Sequence, residues 1–255
     1  AKATGKAKDL VRMSVARSAW LEPLDYLSVG VNHPVVVIGG GVSGMNAALN
    51  FADQGFQTTL VEKELELGGS AKHIKKTWKG ADVQAYLCDL IDKVENHSKI
   101  TVMKGASVVD AHGFIGNFET QVKVGDITKT IEHGAAVVAT GGVATDTEEY
   151  LYGKNPRVTR WHDLDANLDK YKGANNVVFI QCVGSRDENR PYCSKICCTA
   201  SISQALEVKE RNPEANVFVL HRDIRTYGER EAIYKEAREK GIIFIRYTSD
   251  QKPVV

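Results

Sequence analysis

Four of the five cysteines in this chain, Cys182, Cys193, Cys197 and Cys198, fall within 17 residues, and Cys88 stands apart. An odd count, crowded in this way, is a poor framework for secreted disulfides and suits a metal or redox site in a reducing compartment. Four thiolates are the ligand set of a 4Fe–4S cluster, which is the leading reading. Cys193 and Cys197 are one helical turn apart, so their sulfurs are predicted to share a helix face, with Cys198 adjacent and Cys182 closing the site from a strand end. Arg186, Arg190 and Lys195 can offset the charge of such a cluster. The alternatives are zinc, a redox disulfide and inert buried thiols. Structural zinc favours CxxC pairs in separate knuckles, and a vicinal Cys197–Cys198 disulfide would be strained. Cys88 reads as a small buried hydrophobe outside the site.

The second chemical signal is a run of glycines. Gly39, Gly41 and Gly44 form GxGxxG, with Val42 and Ser43 inside the motif, between the apolar run Val35–Ile38 and a helix at 45–54. In that setting the first glycine permits a tight turn, the second lets backbone approach a pyrophosphate, and the third packs helix on strand. The helix N-terminus adds free N–H groups and a positive dipole end. Glu62 follows Gly44 by 18 residues at the end of the next strand, where a carboxylate can bind both ribose hydroxyls of an adenosine and repel a 2′-phosphate.

These residues need elements to hold them. The chain has 255 residues, enough for one large domain or two small ones, with 43% hydrophobic and 25% charged residues. A net charge of +1 gives no reason to expect nucleic acid, and no apolar run reaches the roughly 20 residues of a membrane helix. No secretory signal is visible and the first residue is not Met, so the sequence is expected to be processed or a fragment, and cytoplasmic. Residues 3–21 predict a leader helix, with Leu10, Val11, Met13 and Val15 packing on the next domain, ended by Glu22-Pro23. A βαβ unit follows: strand 35–38, helix 45–54 and strand 58–61. Residues 82–97 predict an amphipathic helix. Segments 107–111, 117–124 and 127–133 predict an antiparallel meander, and Ala135–Ala139 another buried strand ending at Thr140-Gly141-Gly142. After a polar connection with a short helix at 164–168, a second α/β pattern places strands at 177–180, 217–220 and 242–245 and helices at 199–211 and 230–240. The expected division is a leader helix and linker (1–30), a Rossmann-like dinucleotide domain (31–145), a connection (146–175) and a partial second α/β domain carrying the cysteines (176–255).

Several stretches resemble known flavoproteins. Leu67-Gly68-Gly69 after the acidic strand end, and the meander followed by Val138-Ala139-Thr140-Gly141-Gly142, resemble FAD-contacting segments of the glutathione-reductase-like fold. The motif's position near the start of the folded part also favours FAD over NAD. More specifically, Val36–Met45, Leu60-Val61-Glu62-Lys63-Glu64, the whole Cys182–Cys198 loop and His221-Arg222-Asp223-Ile224-Arg225-Thr226-Tyr227-Gly228 resemble the A-subunit family of heterodisulfide reductase. The leader stretch 6–17 resembles that family's linker into its flavin domain. The resemblance implies a thioredoxin-reductase-like α/β fold that binds FAD through Gly39, Gly41, Val42, Ser43, Gly44, Glu62, Lys63, Gly68, Gly69, Val108, Thr140 and Gly141. It implies a 4Fe–4S cluster on Cys182, Cys193, Cys197 and Cys198, and no acid–base catalytic residue. It also implies an oxidoreductase component working with heterodisulfide-reductase-like B and C subunits and with ferredoxin or hydrogenase-type donors, as found in anaerobes. The chain departs from the family in lacking a CxxCxxCxxxCP run, an upstream cluster domain and a closing C-terminal Gly-Asp segment, so it resembles a central fragment. Two rivals remain. A nicotinamide-dependent FAD disulfide reductase would show a second GxGxxG and a CxxC pair, and neither is present. The other rival is a scaffold with a vestigial site.

Overall fold

A computed structural model describes residues 2–255 except Asp25, Leu27 and Lys172, so the expected linker (1–30) and connection (146–175) each include positions outside the described residues. Among the described residues, ten strands and six α-helices follow one another as α1 (Lys2–Ala19), β1 (Val35–Ile38), α2 (Val42–Asp53), β2 (Thr58–Val61), α3 (Val83–Glu95), β3 (Ile100–Met103), β4 (Ala106–Phe114), β5 (Asn117–Val124), β6 (Ile127–His133), β7 (Ala135–Val138), α4 (Trp161–Ala166), β8 (Asn176–Ile180), α5 (Cys197–Arg211), β9 (Asn216–His221), α6 (Glu231–Glu239) and β10 (Ile243–Arg246).

The first layer is a parallel sheet in the order β3-β2-β1-β7. Its central strand is apolar on both sides, as a strand covered on two faces must be. Val37 and Leu60 pack against Met45, Ala48, Leu87 and Leu90 of α2 and α3. On the opposite face Val36 and Val61 meet Ala106 and Val122 of the meander β4-β5-β6. Full burial of each such side chain stabilises the fold by about 1.5–3 kcal/mol. The Asp82 carboxylate caps α3 by accepting from the amides of Gln84 (2.9 Å) and Ala85 (3.0 Å).

The second sheet, β10-β9-β8, is also parallel. Phe179, Val217 and Val219 pack on Ile202 and Ala205 of α5 and on Ile233 of α6. The other face stays open: Val178, Ile243 and Ile245, which alternate with the covered set, remain about half exposed. The two halves meet where the Lys75 amide donates to Asp165 (2.7 Å) and where Trp78 packs on the second core.

The α/β, thioredoxin-reductase-like architecture agrees with the sequence reading, with three corrections. The apolar side of α1 packs on nothing among the described residues, and every described residue from Ala3 to Leu24 is exposed. Its apolar stripe is narrow and interrupted by Ser14 and Ser18, and it does not reach either core. Strand β3 has no counterpart in the sequence reading, because four residues after a helix end carry too little alternation to show. Cys193 precedes α5 rather than lying within it, so the shared helix face inferred for Cys193 and Cys197 does not exist.

Candidate functional site

The glycine loop closes the carboxyl end of β1. Gly39 holds φ +111°, and a Cβ there would stand 2.3 Å from the Ala139 carbonyl oxygen. At Gly44 a Cβ would strike the Gly39 carbonyl oxygen at 1.8 Å. These two positions therefore require glycine for packing. Gly41 differs: a Cβ there would meet nothing within 4 Å, so its outer side opens on the crevice. Gly41 is also the N-cap of α2 and no side chain caps it, which leaves the amides opened by Val42 and the exposed Ser43 without a side-chain acceptor. A dinucleotide pyrophosphate fits a cradle of that description.

Neighbouring loops gather at the same edge. The Gly68 amide donates to the Gly40 carbonyl (2.9 Å), and Gly69 lies against the Gly41 backbone. The Ala139 amide donates to Ile38 (2.8 Å), which brings the exposed Thr140 and Gly141 beside the loop. The Ser70 hydroxyl reaches toward the Gly142 carbonyl at 3.5 Å. Lys63 points to solvent beside Glu64 (3.7 Å). Val108 belongs to another layer, since its side chain packs in the core between the sheet and the meander.

Glu62 directly follows β2. It is 6% exposed and uses both oxygens on its own chain, accepting from the Gly40 amide (2.6 Å) and the Glu64 amide (2.8 Å). The carboxylate thus braces the glycine loop. Any ribose hydroxyl would share its remaining lone pairs.

The cysteines lie at the equivalent edge of the second sheet. Cys182 follows β8 with φ +62°, and Cys197 and Cys198 open α5. Non-glycine Arg186 and Lys195 also adopt positive φ. Such residues cost on the order of 1–3 kcal/mol each and persist where the surroundings dictate them, often at functional sites. The Arg186 guanidinium donates toward the Cys182 sulfur (3.7 Å) and pairs with Asp223 (2.5 Å). That hydrogen bond holds the Asp223 carboxyl below its usual range, reinforced by the charges of Arg186, Arg225 and Arg246. Arg222 donates to the Arg186 carbonyl (2.6 Å), and Arg190 to that of Gly184 (3.3 Å). The Lys195 amide donates to Cys193 sulfur (3.3 Å), and Ser194 contacts Cys197 (3.1 Å). Burial pushes the Cys198 thiol up, against a backbone hydrogen bond from Arg225 and with the charges of Cys182, Cys197 and Cys193 adding to the shift.

Among the described residues no three His, Cys, Asp or Glu side chains converge on a single-ion site. Four thiols between the end of β8 and the first turn of α5, with the Arg186 guanidinium beside Cys182, are a donor set of the kind that an iron–sulfur cluster takes. Cys88 is exposed on α3, contrary to the buried position expected for it. Sequence reasoning missed Gly40, where a Cβ would meet Leu67 at 2.5 Å, and Asp223, whose role depends on contacts 37 residues away.

A glycine-cradled βαβ unit, a meander and a second parallel α/β unit together define the two-part nucleotide-binding fold of flavoprotein reductases. The chain matches the pyridine nucleotide-disulphide oxidoreductase family over residues 33–180 and belongs to it, an oxidoreductase family. Among curated relatives, the A subunit of the H(2):CoB-CoM heterodisulfide,ferredoxin reductase of Methanothermobacter marburgensis is 31% identical, over 96% of this chain and 52% of that protein. An iron-sulfur A subunit of the CoB--CoM heterodisulfide reductase of Methanopyrus kandleri is 30% identical with the same coverage. Heterodisulfide reductase A subunits are therefore relatives of this chain, as the motifs suggested. The chain spans about half the length of these proteins. The first match runs over 344 positions against 255 residues here, so that relative carries inserted segments within the matched region. Among solved structures, T. acidophilum thioredoxin reductase shares the fold, with a TM-score of 0.52 and 18% identity over 84% of this chain and 64% of that one. No helix among the described residues is long and apolar enough to cross a membrane.

Proposed function

We propose that this chain is the FAD- and iron–sulfur-binding electron-transfer module of a heterodisulfide-reductase-like complex. The observation that carries the reading is the pairing of two differently equipped sheet edges, an open glycine cradle at one and, at the other, Cys182 beside Arg186 after β8 with Cys193, Cys197 and Cys198 at the start of α5. Family membership and the flavoprotein-type fold support FAD in the first, and the iron-sulfur name of one relative supports a cluster in the second. When bound, FAD and the cluster supply two-electron and one-electron redox chemistry respectively. The chain supplies position and charge. Gly41 and the first turn of α2 hold the pyrophosphate, and Glu62 keeps that loop in shape. Cys182, Cys193, Cys197 and Cys198 hold the iron, and Arg186 offsets thiolate charge from within hydrogen-bonding range of Cys182. Partners in this reading are further components of a cytoplasmic redox complex and a ferredoxin-type donor, the latter in keeping with the ferredoxin in one relative's name.

Nicotinamide nucleotides have no place in the second crevice. A pyrophosphate needs bare backbone, and the turn after β8 offers only Gly184, with the Arg190 guanidinium close beside it. Anaerobically purified protein is expected to show a two-band flavin spectrum with a broad brown shoulder. Stopped-flow mixing with excess NADH or NADPH is expected to leave the flavin oxidised. A colourless protein would overturn the electron-transfer reading, and rapid bleaching by either nucleotide without a partner protein would favour a nicotinamide-dependent reductase.

A further inference from the structure

Tyr247 lies just beyond β10, on the strand of the second sheet farthest from the cysteine loop, yet it reaches the residue before Cys182. Its backbone amide donates to the His221 carbonyl at the end of β9 (2.8 Å). Its phenol hydroxyl passes across β9 and donates to the Gln181 carbonyl at the end of β8. One half-buried residue thereby ties together, through its amide and its hydroxyl, the carboxyl ends of all three strands of that sheet.

Gln181 is 3% exposed, and its amide donates to Leu220 (2.9 Å). Gln181 is thus held through both its amide and its carbonyl, and that carbonyl, held by Tyr247, belongs to the peptide leading into Cys182. This matters because Cys182 occupies the left-handed region at φ +62°, which a non-glycine residue leaves when released. From that conformation its sulfur meets the Arg186 guanidinium (3.7 Å). The loop beyond has little backbone support of its own, with turn bonds from the Ser185 amide to the Cys182 carbonyl (3.4 Å) and from the Asp187 amide to the Arg190 carbonyl (3.2 Å).

We infer that Tyr247 is a positioning residue for Cys182, holding the Gln181–Cys182 peptide so that the sulfur is presented to the iron site. The inference rests on Cys182 being a cluster ligand, but the contact itself can be tested without iron. In the metal-free full chain, Tyr247→Phe is expected to accelerate amide hydrogen exchange at least tenfold in the peptide spanning residues 181–186. Peptides from β9 and α6 are expected to stay within twofold. In the iron-loaded protein the same variant is expected to shift the electron paramagnetic resonance signal of the reduced cluster and shorten iron retention severalfold under a chelator. Tyr192→Phe, an exposed tyrosine inside the loop, serves as the control and is expected to change neither. Unchanged exchange at 181–186 would overturn the inference, and so would equal acceleration in β9, which would mark general loosening of the sheet. If neither parent nor variant takes up iron while the exchange difference holds, the positioning contact stands and the cluster reading falls.

Discussion

At the edge of the first sheet, Gly39, Gly41 and Gly44 strip the turn of side chains, and the nearest carboxylate, Glu62, is spent on bracing that turn. At the edge of the second sheet the turn keeps its side chains. Cys182, Arg186 and Lys195 take up positive φ without being glycine, and a carboxylate at Asp223 gathers arginines. Both crevices lie where parallel α/β sheets bind ligands. In the proposed function, the first takes a ligand held by backbone amides and the second a ligand held by sulfur beside cationic side chains. The layers behind them differ as well. A meander covers the far face of the first sheet, whereas Val178, Ile243 and Ile245 leave that of the second open.

The contrast breaks most sharply at the cysteines. Replacing any one of Cys182, Cys193, Cys197 or Cys198 by Ser is expected to abolish or strongly reduce the iron–sulfur absorbance and iron content, with flavin retained. Cys88→Ser is expected to leave both unchanged. Iron lost from the Cys88 variant but kept by the Cys198 variant would put the ligands elsewhere.

A smaller effect is expected at Glu62. Glu62→Ala removes two charge-assisted bonds that shape the glycine loop, so flavin affinity is expected to fall by about 1.5–3 kcal/mol. Because the loss acts through the loop, the melting temperature of the flavin-free protein is expected to fall too. A drop in affinity with unchanged melting would restore the simple ribose contact. Iron content is expected to be unaffected, which separates the two crevices.

The smallest effect concerns the layer that only the first sheet has. His133 is 1% exposed, with Nε2 at 2.8 Å from the Thr120 hydroxyl and Nδ1 at 3.0 Å from the Ala135 carbonyl. Burial lowers its pKa below the ordinary 6.5, only partly opposed by the backbone contact at Ala135. The unfolded chain therefore binds the proton first. The stability that His133 contributes is full above about pH 6.5 and is lost as pH falls from there toward the lowered folded value. Melting curves at pH 7.5 and 5.5 are expected to show this loss for the parent and less of it for His133→Gln. An equal pH effect in both proteins would place the titration elsewhere, for instance at half-buried His221.

Much of this was legible in the sequence because it is local. Apolar β-branched runs give β1, β2 and β8, and glycine spacing gives the cradle, since a turn that admits only glycine writes itself into consecutive positions. The crowding of four cysteines likewise needs no fold to be seen. What the sequence could not supply was set by long-range contact. Whether α1 is covered depends on what packs against it, and a periodic stripe is silent on that. The helix starts at Cys197 and not before Cys193, and the loop ahead of it is tied at Arg186 to Asp223 and Arg222, residues of another strand end. Glu62 turns inward because folding brings the Gly40 amide, 22 residues earlier, within 2.6 Å of a carboxylate held out of water. Tyr247 meets Gln181 only because β10, β9 and β8 lie side by side, 66 residues of separation closed by sheet order. Spacing along a chain fixes which groups are available, and the packing of strands and helices decides which of them touch.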